Sequence, residues 1–126
     1  MTDATPLLDV EIPAQVAPYV RALGVDGAVR FLLAFGGAAA YVAGNPERVS
    51  TMRDVIGEDG IRALSQEIQG RIARVPTAKP WIAKVRFAQR RTIQEIAREL
   101  HVADVSVRDW LAQERADRAQ LQLPIG

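Results

Sequence analysis

The sequence predicts a mostly α-helical fold with a small antiparallel two-stranded β element: two helix-helix-strand repeats followed by a C-terminal helix-turn-helix domain. Three observations carry this expectation. Apolar residues recur at helical spacing along most of the chain, punctuated by Gly, Pro, Asp and Asn at the breaks. A shift of 33 residues superposes residues 13–45 on 46–78 without a gap. Residues Arg91–Leu111, RTIQEIARELHVADVSVRDWL, read as two short helices joined by a tight turn.

Residues 1–12 show no clear periodicity and carry the turn formers Thr5 and Pro6, so they read as a mobile or loosely docked arm. Pro13 then opens a helix with Val16, Tyr19, Val20 and Leu23 on one face and Gly24 closing it. Pro18 either kinks this helix or marks its true start. Asp26 is placed to cap the next helix, which turns Phe31, Leu32 and Phe35 inward and stops at Gly36-Gly37. Ala38–Val42 follows as a short apolar strand.

The pattern then repeats. Asn45-Pro46 is an N-cap with proline at the first helical position. Val49, Met52 and Ile56 form the stripe, and Gly57 closes it. Asp59 caps a helix with Ile61, Leu64 and Ile68 inward, Gly70 ends it, and Arg71–Val75 alternates polar and apolar as a strand does. Eight of the 33 aligned pairs are identical: Pro13/Pro46, Val16/Val49, Gly24/Gly57, Asp26/Asp59, Gly27/Gly60, Gly37/Gly70, Ala40/Ala73 and Val42/Val75. Average composition gives about two or three by chance. Two copies are too few for a solenoid and suit a pseudo-twofold pair. Pairing Ala38–Val42 antiparallel with Arg71–Val75 satisfies one edge of each strand and leaves the outer edges for a second chain. Ala38, Ala40, Tyr41, Val42, Ile72 and Val75 are the expected interface-strand residues.

Pro76 ends the second strand, and Lys79-Pro80 begins a helix with Trp81, Ile82, Val85 and Ala88 on its inner face. Thr92 and Glu95 form a capping box ahead of Ile93, Ile96, Ala97 and Leu100, which fall at i, i+3, i+4 and i+7. After a four-residue gap Val107, Trp110 and Leu111 repeat the spacing. Ala97 is small because a larger side chain would push the second helix away. His101 stands where such a turn favours glycine with positive φ, and Ala103 stands where an N-cap Ser or Thr is usual. Helix continues through AQERADRAQLQ, with Glu114 and Arg118 as an i,i+4 pair and Leu121 and Leu123 able to dock back. The organisation expected is therefore an arm over 1–12, a duplicated dimerisation-like domain over 13–78 and a DNA-binding domain over 79–126.

Composition narrows the function. The 126 residues contain no cysteine, which excludes thiol chemistry, disulfides and thiolate metal sites and fits a reducing cytoplasm. His101 is the only histidine, so no histidine cluster holds a metal and no nucleophile–histidine pair stands out. No enzyme and no cofactor are expected. No apolar run reaches the roughly 18 residues of a membrane span, Phe31–Val42 being short and broken by glycine. Asp3, with no early Lys or Arg, speaks against a secretory signal. The net charge of +1 is unevenly spread, −2 over residues 1–78 and +3 over 79–126. Lys79, Lys84, Arg86, Arg90 and Arg91 gather just before the helical pair, as phosphate contact requires.

Phe35-Gly36-Gly37, then Tyr41-Val42, and finally Thr92–Leu111 together resemble the Mor-type transcription activators of Mu-like phages, over roughly residues 19–115. The resemblance implies a small non-enzymatic protein that binds promoter double-stranded DNA as a homodimer, joins its subunits through the short strand and contacts RNA polymerase. This chain looks like a variant with the dimerising unit duplicated. It departs from the family in having Ala43 after the first Tyr-Val strand, where proline is common, while Val75-Pro76 keeps the pattern.

In a helix-turn-helix the first turns of the second helix face base edges in the major groove. Those positions are Asp104, Val105, Ser106, Arg108 and Asp109. Arg108 suits guanine O6 and N7, Val105 a thymine methyl, the two Asp a cytosine amino group, and Ser106 either base or phosphate. Lys84, Arg90, Arg91 and Arg98 are the expected phosphate contacts. Three readings compete: a sequence-specific, phage-type transcriptional regulator, a phage packaging or assembly factor binding DNA nonspecifically, and a protein-interaction module whose hairpin is only core.

Overall fold

The computed structural model describes residues 10–42, 50–68 and 70–122, with Ser50 and 114–122 as backbone only. Five helices and two strands follow in order: α1 (Ala17–Phe35), β1 (Ala40–Val42), α2 (Ser50–Glu67), β2 (Gly70–Ile72), α3 (Lys79–Ala88), α4 (Ile93–Leu100) and α5 (Asp104–Gln122). The fold is mostly helical with one two-stranded antiparallel sheet, as expected. The chain divides into two compact units, one of Ile12–Ala78 and the other of the described parts of Met1–Glu11 and Lys79–Gly126. The expected Asn45-Pro46 cap, the Val49 stripe position, the Glu114–Arg118 pair and docking by Leu121 and Leu123 fall outside the described residues or side chains. Val10, assigned from sequence to the arm, is buried.

In the first unit the helix begins at Ala17, later than Pro13. Val16 and Ala17 donate to the Pro13 carbonyl in a turn, and Pro18 occupies the first helical turn. A proline lacks the amide that the first turn leaves unpaired anyway, so Pro18 marks the start and bends nothing. The real bend comes at Gly24 (φ 76°, ψ 172°), which splits α1 into two helical pieces. Gly57 splits α2 with φ 77° and ψ 170°. This backbone region is essentially restricted to glycine. Tyr19 before the bend stacks on Phe31 after it at 5.4 Å, and Phe31 meets Phe35 at 5.0 Å. Burial pushes the Tyr19 phenol above its ordinary value.

The 33-residue relation extends from torsions to burial. Tyr19 and Met52, Ala28 and Ile61, Phe31 and Leu64, and Val42 and Val75 are all buried. Helices α1 and α2 pack on each other, as two amphipathic elements do to bury their apolar stripes. The arrangement is compatible with two copies of one helix–helix–strand unit.

The strands pair with Ala40 opposite Ile72, Tyr41 opposite Arg71 and Val42 opposite Gly70. The regular ladder on the second strand thus covers Gly70–Ile72 and not the expected Arg71–Val75. Val75 still pairs with the residues leading into the first strand: Gly37 N–H donates to its carbonyl at 2.6 Å, and its own N–H donates to Ala38 at 2.8 Å. Two residues thus oppose one, which breaks the regular ladder in the manner of a bulge. Under the 33-residue shift Val42–Gly70 maps onto Val75–Gly37, so the two ends of the pairing are counterparts. Val42 and Val75 are turned into the core of their own chain, whereas Tyr41 is 62% exposed.

In the second unit α3, α4 and α5 all pack against one another. Trp81, Ile82 and Val85 of α3, Ile96, Ala97 and Leu100 of α4, and Val107 and Leu111 of α5 are buried, and Ile93 and Trp110 partly so. Three helices with one apolar stripe each bury all three stripes by converging in this way.

Candidate nucleic-acid interface

The local sequence defines both ends of α4. Thr92 Oγ1 accepts from Glu95 N–H at 3.1 Å, and Glu95 Oε1 accepts from Thr92 N–H at 2.9 Å. The Thr92 backbone N–H holds the Glu95 carboxyl below the usual carboxylate range, and the Thr92 hydroxyl, Arg91 and Arg98 pull the same way. At the far end His101 adopts φ 57° and ψ 48°. Its N–H and that of Val102 return to Arg98 and Ala97, closing a Schellman motif. The positive φ that the sequence assigns to His101 is present, and histidine is among the residues that tolerate it.

A second motif of this kind ends α3. Arg90 has φ 70°, its N–H donates to Phe87 at 2.9 Å, and Arg91 N–H donates to Arg86 at 3.0 Å. Nothing in the local sequence announced this, since neither glycine nor asparagine marks the position. The left-handed residue turns the chain sharply between α3 and the Thr92 cap.

Helix α5 starts at Asp104, one residue past Ala103, whose carbonyl accepts from Ser106 at 3.0 Å. Alanine has no side-chain acceptor for the first-turn amides. Asp104 lies in that turn, where a negative charge suits the helix dipole.

Burial sorts the expected base contacts. Val107 and Leu111 anchor α5, which leaves Val105 (58% exposed), Arg108 and Asp109 facing solvent. Asp104 and Ser106 are partly exposed and flank this face. At 100° per residue Ala112 shares the outward stripe with Val105, Arg108 and Asp109, and it is exposed. The sequence reading stopped at the first turns and missed it, although the same periodicity reaches it.

Among the expected phosphate contacts Arg90, Arg91 and Arg98 are exposed and Lys84 is partly exposed. Arg86, counted in the basic cluster, is engaged within the fold. Its Nε and Nη2 donate to the two carboxylate oxygens of Glu99 at 2.9 and 3.0 Å, and Nη1 donates to Gln89 at 3.0 Å. This fork ties α3 to α4, and sequence offered no signal for it beyond two opposite charges 13 residues apart.

Among the described residues no group of three or more His, Cys, Asp or Glu side chains could hold a metal ion, and no helix is long and apolar enough to cross a membrane. Comparison with protein-family models, with curated proteins and with solved structures returned no match.

Proposed function

We propose that this chain is a phage-type, sequence-specific DNA-binding transcriptional regulator of the Mor kind, with α4 and α5 as its helix-turn-helix. One observation carries the reading: α5 is anchored by Val107 and Leu111 on one side and presents Val105, Arg108 and Asp109 to solvent on the other. A hairpin that served only as core has no need of an outward face bearing an arginine fork beside an apolar side chain. In this reading Arg90, Arg91 and Arg98, with Lys84 at the margin, supply sequence-independent attraction to phosphates. The reading has the chain work without a cofactor or catalytic step, and it extends to RNA polymerase contact and homodimerisation by resemblance to the Mor family.

A second reading has support of its own. Among its described side chains the outward face of α5 carries one cation against Asp104 and Asp109, while the exposed Arg90, Arg91 and Arg98 lie outside that helix in the same unit. That balance suits a packaging or assembly factor that holds any duplex. Fluorescence anisotropy on random duplexes and on DNA flanking the gene, at two salt concentrations, separates the two. A regulator binds one duplex far more tightly, and Arg108→Ala costs about 1–3 kcal/mol there and little elsewhere. A packaging factor binds all duplexes alike and weakens uniformly when Arg90 and Arg91 are neutralised. Absence of salt-dependent binding rejects both.

A further inference from the structure

We propose that the site read by α5 contains a guanine contacted by Arg108 and, one or two base pairs away, a thymine whose methyl group meets Val105. This rests on the regulator reading and specifies what that regulator recognises.

The outward face of α5 offers few chemistries. Among the described side chains of this face Arg108 is the one cation, Val105 the one large apolar group, and Asp109 can only accept hydrogen bonds. A guanidinium fork matches guanine O6 and N7 in the major groove, where no other base presents two acceptors side by side. A valine left 58% exposed gains by covering an apolar group, and the thymine methyl is the apolar group that groove displays. Val105 and Arg108 are three residues apart, about 4.5 Å along the axis at 1.5 Å per residue, which is the scale of one to two base-pair steps. Asp109 disfavours phosphate and guanine next to Arg108, so the helix gains little from a noncognate duplex. Ala112, one turn beyond Arg108, has no polar atom with which to select a base. Among the described side chains, Arg108 and Val105 thus point to a guanine and a thymine.

The test uses the full chain. A duplex is selected from a randomised pool, and each guanine in it is replaced in turn by 7-deazaguanine and each thymine by deoxyuridine. One deazaguanine and one deoxyuridine within two base pairs of each other should each weaken binding, the first by roughly tenfold or more and the second by several-fold. Arg108→Ala should be insensitive to the first replacement and Val105→Ala to the second. Both side chains face solvent, and thermal melts verify that the variants fold. Salt-dependent binding that ignores every replacement overturns this inference and leaves DNA binding standing. No salt-dependent binding to any duplex overturns the regulator reading and this inference together.

Discussion

Arg86 of α3 grips Glu99 of α4 through two parallel hydrogen bonds, 2.9 and 3.0 Å long. The side chains are 13% and 29% exposed, between the surface pairs that contribute almost nothing and the buried pairs whose loss is severe. The geometry is the bidentate form in which charge-assisted bonds are strongest. A double-mutant cycle of Arg86→Ala and Glu99→Ala, read by urea denaturation, should return a coupling of about 1–2 kcal/mol. A coupling near zero would mean that the two charges are held together by the packing of α3 on α4 and add nothing to it.

The capping box gives stability a sign with pH. Glu95 has a lowered pKa in the folded chain, so its stabilisation is fully present above the ordinary carboxylate pKa. It is lost as pH falls from that value through the lower folded one. Glutamine at this position keeps the hydrogen bond to Thr92 but does not titrate. Glu95→Gln should therefore flatten the acid limb of a stability–pH curve without abolishing α4. Thermal melts between neutral and strongly acidic pH measure this, and parallel curves for the two proteins would contradict it.

Gly24 and Gly57 share a backbone conformation that other residues scarcely adopt, and open space surrounds the Cβ position at each. Alanine there meets no clash, so the cost is that of the backbone alone, about 1–3 kcal/mol. Gly24→Ala and Gly57→Ala should lose similar amounts in denaturant titrations. A large loss at one and none at the other would show that the two bends are not equivalent.

Two left-handed residues without glycine's tolerance, Arg90 and His101, close the helices that flank the Thr92 cap. Replacing His101 by Gly should relieve strain of about 1 kcal/mol, partly offset by the looser unfolded chain. The melting temperature should rise by a few degrees. His101→Val, with a branched Cβ, should lower it. Scanning calorimetry distinguishes the two directions.

Much of this architecture was legible because short-range chemistry dictates it. The Thr92–Glu95 box, the positive φ at His101 and the outward aspect of Val105 and Arg108 each follow from spacing over a few residues. The glycine pair at a separation of 33, read from sequence as two helix ends, falls at the two bends. Long-range decisions were not legible. Pro13 looked like a helix start, but Pro18 fits the first turn better and prevails. The second regular strand stops at Ile72 because Val75 bonds both Gly37 and Ala38, a pairing no local pattern specifies. Arg86 reads as a surface cation until Glu99 is brought beside it by the packing of α3 on α4.

The pairing of Val42 with Gly70 and of Gly37 with Val75 has one more implication. Each half offers an edge that its counterpart completes, and a counterpart from another molecule offers the same edge. Reciprocal exchange of halves between two molecules would reproduce the same ladder contact for contact.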